Sequence, residues 1–169
     1  MPTAAETDLP VFEISRVFDA PRRTVFQVFT QAEHMAHWWG PKGWALDVLQ
    51  LDLRPGGLFH YKMTMPDGKA AFGRFVYEEI VPIESVTIVS GFADENANPI
   101  RHPMSPTWPL EMWSRMTLED LGNQTRMTVR ARPHNASAVE IQTFADGFGS
   151  MKQGFGGTWD NLEAYLKTL

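Results

Sequence analysis

His34 and His37 stand three residues apart, a spacing that places two imidazoles on one side of a helix and suits two ligands of a metal ion. A metal site also needs a third ligand and groups behind it that orient the imidazoles. The sequence offers neither at a recognisable spacing, so no metal centre is assigned. Arg101 and His102 lie together in IRHPMSPTWP, where they either meet an acidic or carbonyl group or simply anchor the segment. No serine has a histidine and a carboxylate at a triad spacing. Cysteine is absent, which removes thiol nucleophiles, disulfides and thiolate metal sites. GFGSMKQGFGG is rich in glycine but follows no strand and lies inside an apolar helical stripe, unlike a phosphate loop. No catalytic residue and no cofactor are assigned.

A binding wall has more support than a reacting centre. Read by alternation, Phe59, Tyr61 and Met63 share one face of a strand, with His60 pointing outward between them. Met112, Ser114 and Met116 do the same on a second strand, and Met127 on a third. Phe144, Phe148, Met151 and Phe155 recur at helical steps and can lie against those faces. Methionine-rich walls adapt to the shape of a ligand, while Tyr61 and Ser114 can orient one by hydrogen bonds. The same pattern also describes a filled core. In HWWGPKGW, Trp39 and Trp44 either line such a space or, with Trp38, close one end of the core. The candidate cavity is completed at its mouth by Arg101, His102 and Trp108. An enzyme reading requires Tyr61, His102 and Glu111 to converge within hydrogen-bond reach.

The elements that must position these residues are legible in the periodicity. VFEISRVF alternates as a strand. DAPRRTVFQVFT begins a short helix near Asp19 and Pro21, and the spacing of Thr30 and Glu33 predicts a capping box for a second, ended by Gly40 and Pro41. From residue 44 to 132 the period is two, giving six strands separated by turn sequences such as RPGG, PDG and EDLGN. Residues 93–109 form a long loop with four prolines, placed near the cavity entrance. Ser137 and Glu140 repeat the capping-box spacing, and one long helix with a continuous apolar stripe follows. Its five glycines call for close approach to the sheet, a bend, or room for a ligand. A curved antiparallel sheet of about seven strands wrapped around that helix buries both apolar surfaces, an α+β fold.

With 169 residues the chain is expected to form one domain over 11–169 after a flexible tail over 1–10. A net charge of −5 argues against nucleic acid as a partner, because phosphate binding needs a basic surface. No apolar run reaches membrane-spanning length, and the polar start lacks a secretory pattern, so a cytoplasmic location is expected.

The strings FTQAEHMAHWWGP, LDLRPGGLFHYKM, PDG, GRFVYEEIVP, HPMSPTWPLEMW and SMKQGFGGTWDNLEAYL cover the chain from about residue 12. In this order they resemble the SRPBCC superfamily, the START-like or helix-grip fold. Within it they are most similar to the bacterial family homologous to the C-terminal domain of the activator of the ninety-kilodalton heat-shock protein ATPase. The resemblance implies two short helices after the first strand and a long C-terminal helix gripped by the sheet. It also implies three kinds of activity among relatives: binding of lipids, hormones or polyketides, cyclisation of aromatic substrates, and stimulation of a chaperone. The eukaryotic namesake has a further N-terminal domain that contacts the chaperone, and this chain is expected to have no room for one. A small apolar ligand is therefore the first expectation for a partner, and a chaperone or other protein the second. Monomer and homodimer stay open.

Overall fold

The computed structural model describes residues 8–169. Strand β1 (Phe12–Phe18) leads into α1 (Arg22–Thr30) and α2 (Ala32–Trp38). Six strands follow: β2 (Ala45–Leu51), β3 (Leu58–Thr64), β4 (Ala70–Val81), β5 (Ser85–Ala93), β6 (Glu111–Asp120) and β7 (Thr125–His134). Helices α3 (Ala138–Asp146) and α4 (Phe148–Leu166) complete the chain. The expected tail falls mostly on residues 1–7, outside the described residues; Leu9 and Pro10 are half-buried where they lead into β1.

All seven strands form one antiparallel sheet in the order β1-β7-β6-β5-β4-β3-β2. Gly68 and Gly122 take φ values of 90° and 85° in the β3–β4 and β6–β7 turns, conformations that L-residues rarely adopt. Register shifts between Tyr77 and Glu79 and between Val48 and Gln50 mark bulges, which bend strands and increase their twist. The sheet is thereby curved, and the helices pack on its concave face. Phe18, Phe59, Phe75, Met127, Trp159 and Leu162 are almost wholly buried there, each worth about 1.5–3 kcal/mol of burial. A second cluster joins Phe12 and Ala131 to Phe144 and Met151.

The C-terminal helix is not continuous. It breaks for one residue at Gly147, whose φ of −93° and ψ of 6° separate α3 from α4. A Cβ at this position would lie 2.8 Å from Trp108 Cζ3, so glycine is needed for the indole to wedge against the break. Gly149 and Gly154 have open space around them, so packing does not explain them.

The two predicted capping boxes have different outcomes. At Ser137 the box forms: Oγ accepts from the Glu140 amide at 3.3 Å, and Glu140 Oε2 accepts from the Ser137 amide at 2.7 Å. At Thr30 it does not. Thr30 is the last residue of α1 and donates its hydroxyl to Phe26 O at 2.7 Å, leaving Gln31 as the residue before α2 with no side-chain cap.

The outer face of the sheet holds a buried histidine. His60 does point away from the concave side, yet it is only 6% exposed. The turn after β5 covers it, with His60 Nε2 3.0 Å from Asp94 O and Arg74 Nη1 donating to Ala97 O at 2.8 Å. Asp94 organises this turn by accepting from the Asn96 and Asn98 amides at 2.9 Å each. Those bonds, led by the Asn98 side chain, hold its carboxyl below the usual carboxylate range.

Candidate functional site

The concave face does not close fully against the helices. A cavity of about 220 Å³ remains between the sheet and α4. Its floor is set by strand register. Val86 pairs with Met116, Ile88 with Ser114, and Ser90 with Met112, so alternate residues of β5 and β6 present side chains to the same space. Val129 of β7 extends the floor on one side, and Tyr61 and Met63 of β3 on the other. Phe155 and Trp159 of α4 form the roof, Phe29 of α1 and Trp39 close one end, and Trp108 and Pro109 close another.

Each part of HWWGPKGW has its own role. Trp38 is buried and donates its indole N–H to Val28 O at 2.9 Å, fastening α2 to α1. Trp39 turns toward the cavity, edge-on to Phe29, Phe75 and Tyr61. Gly40, at a φ of 108°, offers its carbonyl to Thr158 Oγ1 at 3.0 Å and Asn161 Nδ2 at 3.1 Å, tying the turn to α4. Trp44 precedes β2 and is not part of the lining.

Tyr61 occupies a notch. It lies directly across from Gly73 on β4, and a Cβ at Gly73 would collide with its ring and hydroxyl. Burial pushes the phenol up from its ordinary value of 10.0, while hydrogen bonding from the Trp39 side chain acts the other way. Indole has only an N–H donor, so Tyr61 is the acceptor in that pair. The neutral phenol therefore keeps its proton at ordinary pH. Tyr61 is also the only titratable residue among the lining residues described, which include no charged side chain. Ser90 and the buried Ser114 make no side-chain hydrogen bond among the described residues.

Of the residues singled out in the sequence, Trp39, Tyr61, Met63, Met112, Ser114, Met116, Trp108 and Phe155 meet around the cavity. The others lie elsewhere. Phe59 sits beneath Tyr61 and packs on Phe75 at 4.6 Å, and Met127 is fully buried in the main core. Phe144, Phe148 and Met151 pack with Phe12 in the second cluster. Arg101 pairs with Glu140 of α3, and His102 Nδ1 accepts from the Met104 amide at 3.0 Å while its ring meets Phe92 edge-on. Both thus organise the 99–109 loop and are not part of the lining. Of Tyr61, His102 and Glu111, only Tyr61 reaches the cavity.

His34 and His37 face Tyr165 of α4, the first with Nδ1 2.6 Å from its hydroxyl and the second stacked at 5.0 Å. No group of three metal-ligating side chains occurs among the described residues. Nor is any helix of the described residues long and apolar enough to cross a membrane.

Alternation did not mark Val86, Ile88 and Ser90, because Ser85–Val89 are buried on both faces and carry no period-two signal. Gly73 did carry a signal. A glycine inside a strand marks close approach by another group, here the Tyr61 ring.

The fold recurs in solved structures. A crystal structure from Mycobacterium smegmatis aligns with a TM-score of 0.76 and 27% identity, covering 98% of this chain and 96% of the other. A solution structure from Arthrobacter aurescens gives 0.80 and 26%, covering 98% and 91%. A crystal structure from Nitrosomonas europaea gives 0.72 and 26%, covering 97% of each chain. No protein with a curated description matches. Residues 19–167 match the sequence model of the Activator of Hsp90 ATPase homolog 1-like proteins. With that match spanning almost the whole helix-grip fold, the chain belongs to the Activator of Hsp90 ATPase homolog 1-like family of the SRPBCC superfamily.

Proposed function

We propose that this protein binds a small, largely apolar molecule in the space between the sheet and α4. The observation that carries the reading is a void of about 220 Å³, walled by aromatic and methionine side chains with unpartnered serine hydroxyls on its floor. A filled core at native packing density leaves few spaces larger than a water. Size limits the ligand. An engineered cavity of about 150 Å³ takes benzene, so this one suits a molecule of roughly ten non-hydrogen atoms. A long-chain lipid does not fit unless the walls move. In this reading the 93–109 loop lies near the entrance, a role supported by Trp108 and Pro109 in the lining and by the Arg101–Glu140 pair that ties the loop to α3.

Native mass spectrometry of protein purified from its own source is expected to show a bound mass of corresponding size, released on denaturation. Only ligand-free protein, together with no thermal stabilisation by any compact apolar probe, would overturn the reading.

A second reading, docking of a chaperone or another protein, draws on Met104, which stands 88% exposed at the tip of the same loop. It predicts that saturating protein changes the ATP turnover of the partner chaperone and that Met104→Asp abolishes the change. Unaltered turnover would rule it out.

A further inference from the structure

The cavity carries more than shape: its few polar groups restrict the chemistry of an occupant, an inference that rests on the proposed binding of a small molecule there. Tyr61 is held in place from two sides: its ring fills the notch at Gly73, and Trp39 stands perpendicular to it at a centroid distance of 6.2 Å. The edge-on Trp39 indole limits the movement of the Tyr61 ring. Tyr61 donates to no group of the described residues, so its O–H remains available on the cavity side. Ser114, 7% exposed, lies across from Ile88, and Ser90 is the next residue of β5 on the same face. Diagonal neighbours of this kind have Cα atoms about 7–8 Å apart. The polar part of the wall is therefore three neutral hydroxyls, one of them carried on a ring that packing holds in place. A carboxylate or ammonium ion would enter without a counter-charge, at a desolvation cost of several kcal/mol. A hydrocarbon would leave the hydroxyls unmet.

We propose that the site selects an uncharged, compact carbonyl compound, whose oxygen accepts the Tyr61 proton while its ring or short chain lies between Phe155, Trp108 and the methionines of β6. No covalent step is involved. Tyr61 acts as a binding residue that discriminates by hydrogen-bond polarity, and Ser90 and Ser114 serve a second polar atom where the ligand has one.

The test compares three probes of nearly equal size on the full chain by isothermal titration calorimetry at pH 7: acetophenone, isopropylbenzene and benzoate. Acetophenone is expected to bind about five-fold more tightly than isopropylbenzene, the net worth of one hydrogen bond of roughly 1 kcal/mol. Benzoate is expected not to bind. Tyr61→Phe should remove the advantage of acetophenone and leave isopropylbenzene unchanged, which separates lost recognition from a misfolded variant. Equal binding of the two neutral probes, tighter binding of benzoate, or a preference that survives in Tyr61→Phe would overturn the inference while leaving the pocket a binding site. Failure of all three probes would overturn both.

Discussion

Replacing Ser114 with leucine should make the protein more stable, the opposite of what a polar-to-large change inside a core normally does. In a filled core, extra methylenes force side chains off their rotamers and cost about 1–3 kcal/mol. Ser114, however, faces a void of about 220 Å³ between Met112 and Met116, and its hydroxyl has no partner among the described residues. Leucine adds roughly 75 Å³, and at about 24 cal/mol per Å³ of cavity filled this gives roughly 2 kcal/mol. Ordering the leucine side chain takes back about 0.5–1 kcal/mol. The expected net gain is about 1 kcal/mol, read as a rise in Tm of about 2–4 °C for a chain of this length. Thermal unfolding followed by circular dichroism measures it directly, on protein stripped of any bound molecule. The same variant should lose most of its affinity for isopropylbenzene, since a third of the space is gone. A Tm lowered by several degrees would mean that the space beneath α4 is not available to a side chain, and the reasoning from cavity to ligand would fail with it.

Three other perturbations test the surroundings. Gly73→Ala drives a Cβ into the Tyr61 ring and should cost about 1–3 kcal/mol by overpacking, with altered tryptophan fluorescence as Trp39 is disturbed; an unchanged Tm would show that the notch is not tight. Tyr77→Phe removes a buried hydroxyl without a hydrogen-bond partner among the described residues, so urea unfolding should show a gain of about 1 kcal/mol, and a loss of that size would contradict the assignment. The third concerns acid. Partial burial pushes the Glu140 carboxyl up, but the Ser137 amide, Arg101 and the Ser137 hydroxyl together hold it below its ordinary value of 4.5. Because the folded value is the lower one, its contribution is fully present above 4.5 and is lost as pH falls through the folded value. The stability difference between the wild type and Glu140→Gln should therefore shrink as pH drops below 4.5; a difference that stays constant to pH 2 would show that the carboxylate charge is not what Arg101 and Ser137 hold.

Much of the fold was legible because its residues obey one local rule at a time. The two-residue period of LFHYKMT, the turn chemistry of PDG and the Ser137–Glu140 spacing each gave the element that formed. Thr30 and Glu33 matched the same capping pattern and misled, because burial of Thr30 against the core turned its hydroxyl back to Phe26 O. The break at Gly147 depends on Trp108, 39 positions earlier, and no periodicity carries that contact. The same holds for His60, hidden by a turn that arrives only after β5. For the cavity, side-chain direction could be read on β3 and β6, where polar residues alternate with apolar ones. On β5 it could not, since both faces are covered. The residues misplaced into the lining, Phe144, Phe148 and Met151, sit on the correct apolar stripe but before and at the start of α4, and the break at Gly147 gives them a separate cluster.

The strand order has a consequence for how the molecule comes into being. From β2 to β7 every pairing joins successive strands, so each can zip onto the last as soon as it leaves the ribosome. β1 alone departs from this: Phe12 must find Ala131, across more than a hundred intervening residues. β1 thus waits for the seventh strand, carrying Phe12 and Phe18 uncovered until β7 has been made. For a newborn copy, that interval is its most exposed moment, when a helper that shields sticky strands would matter most.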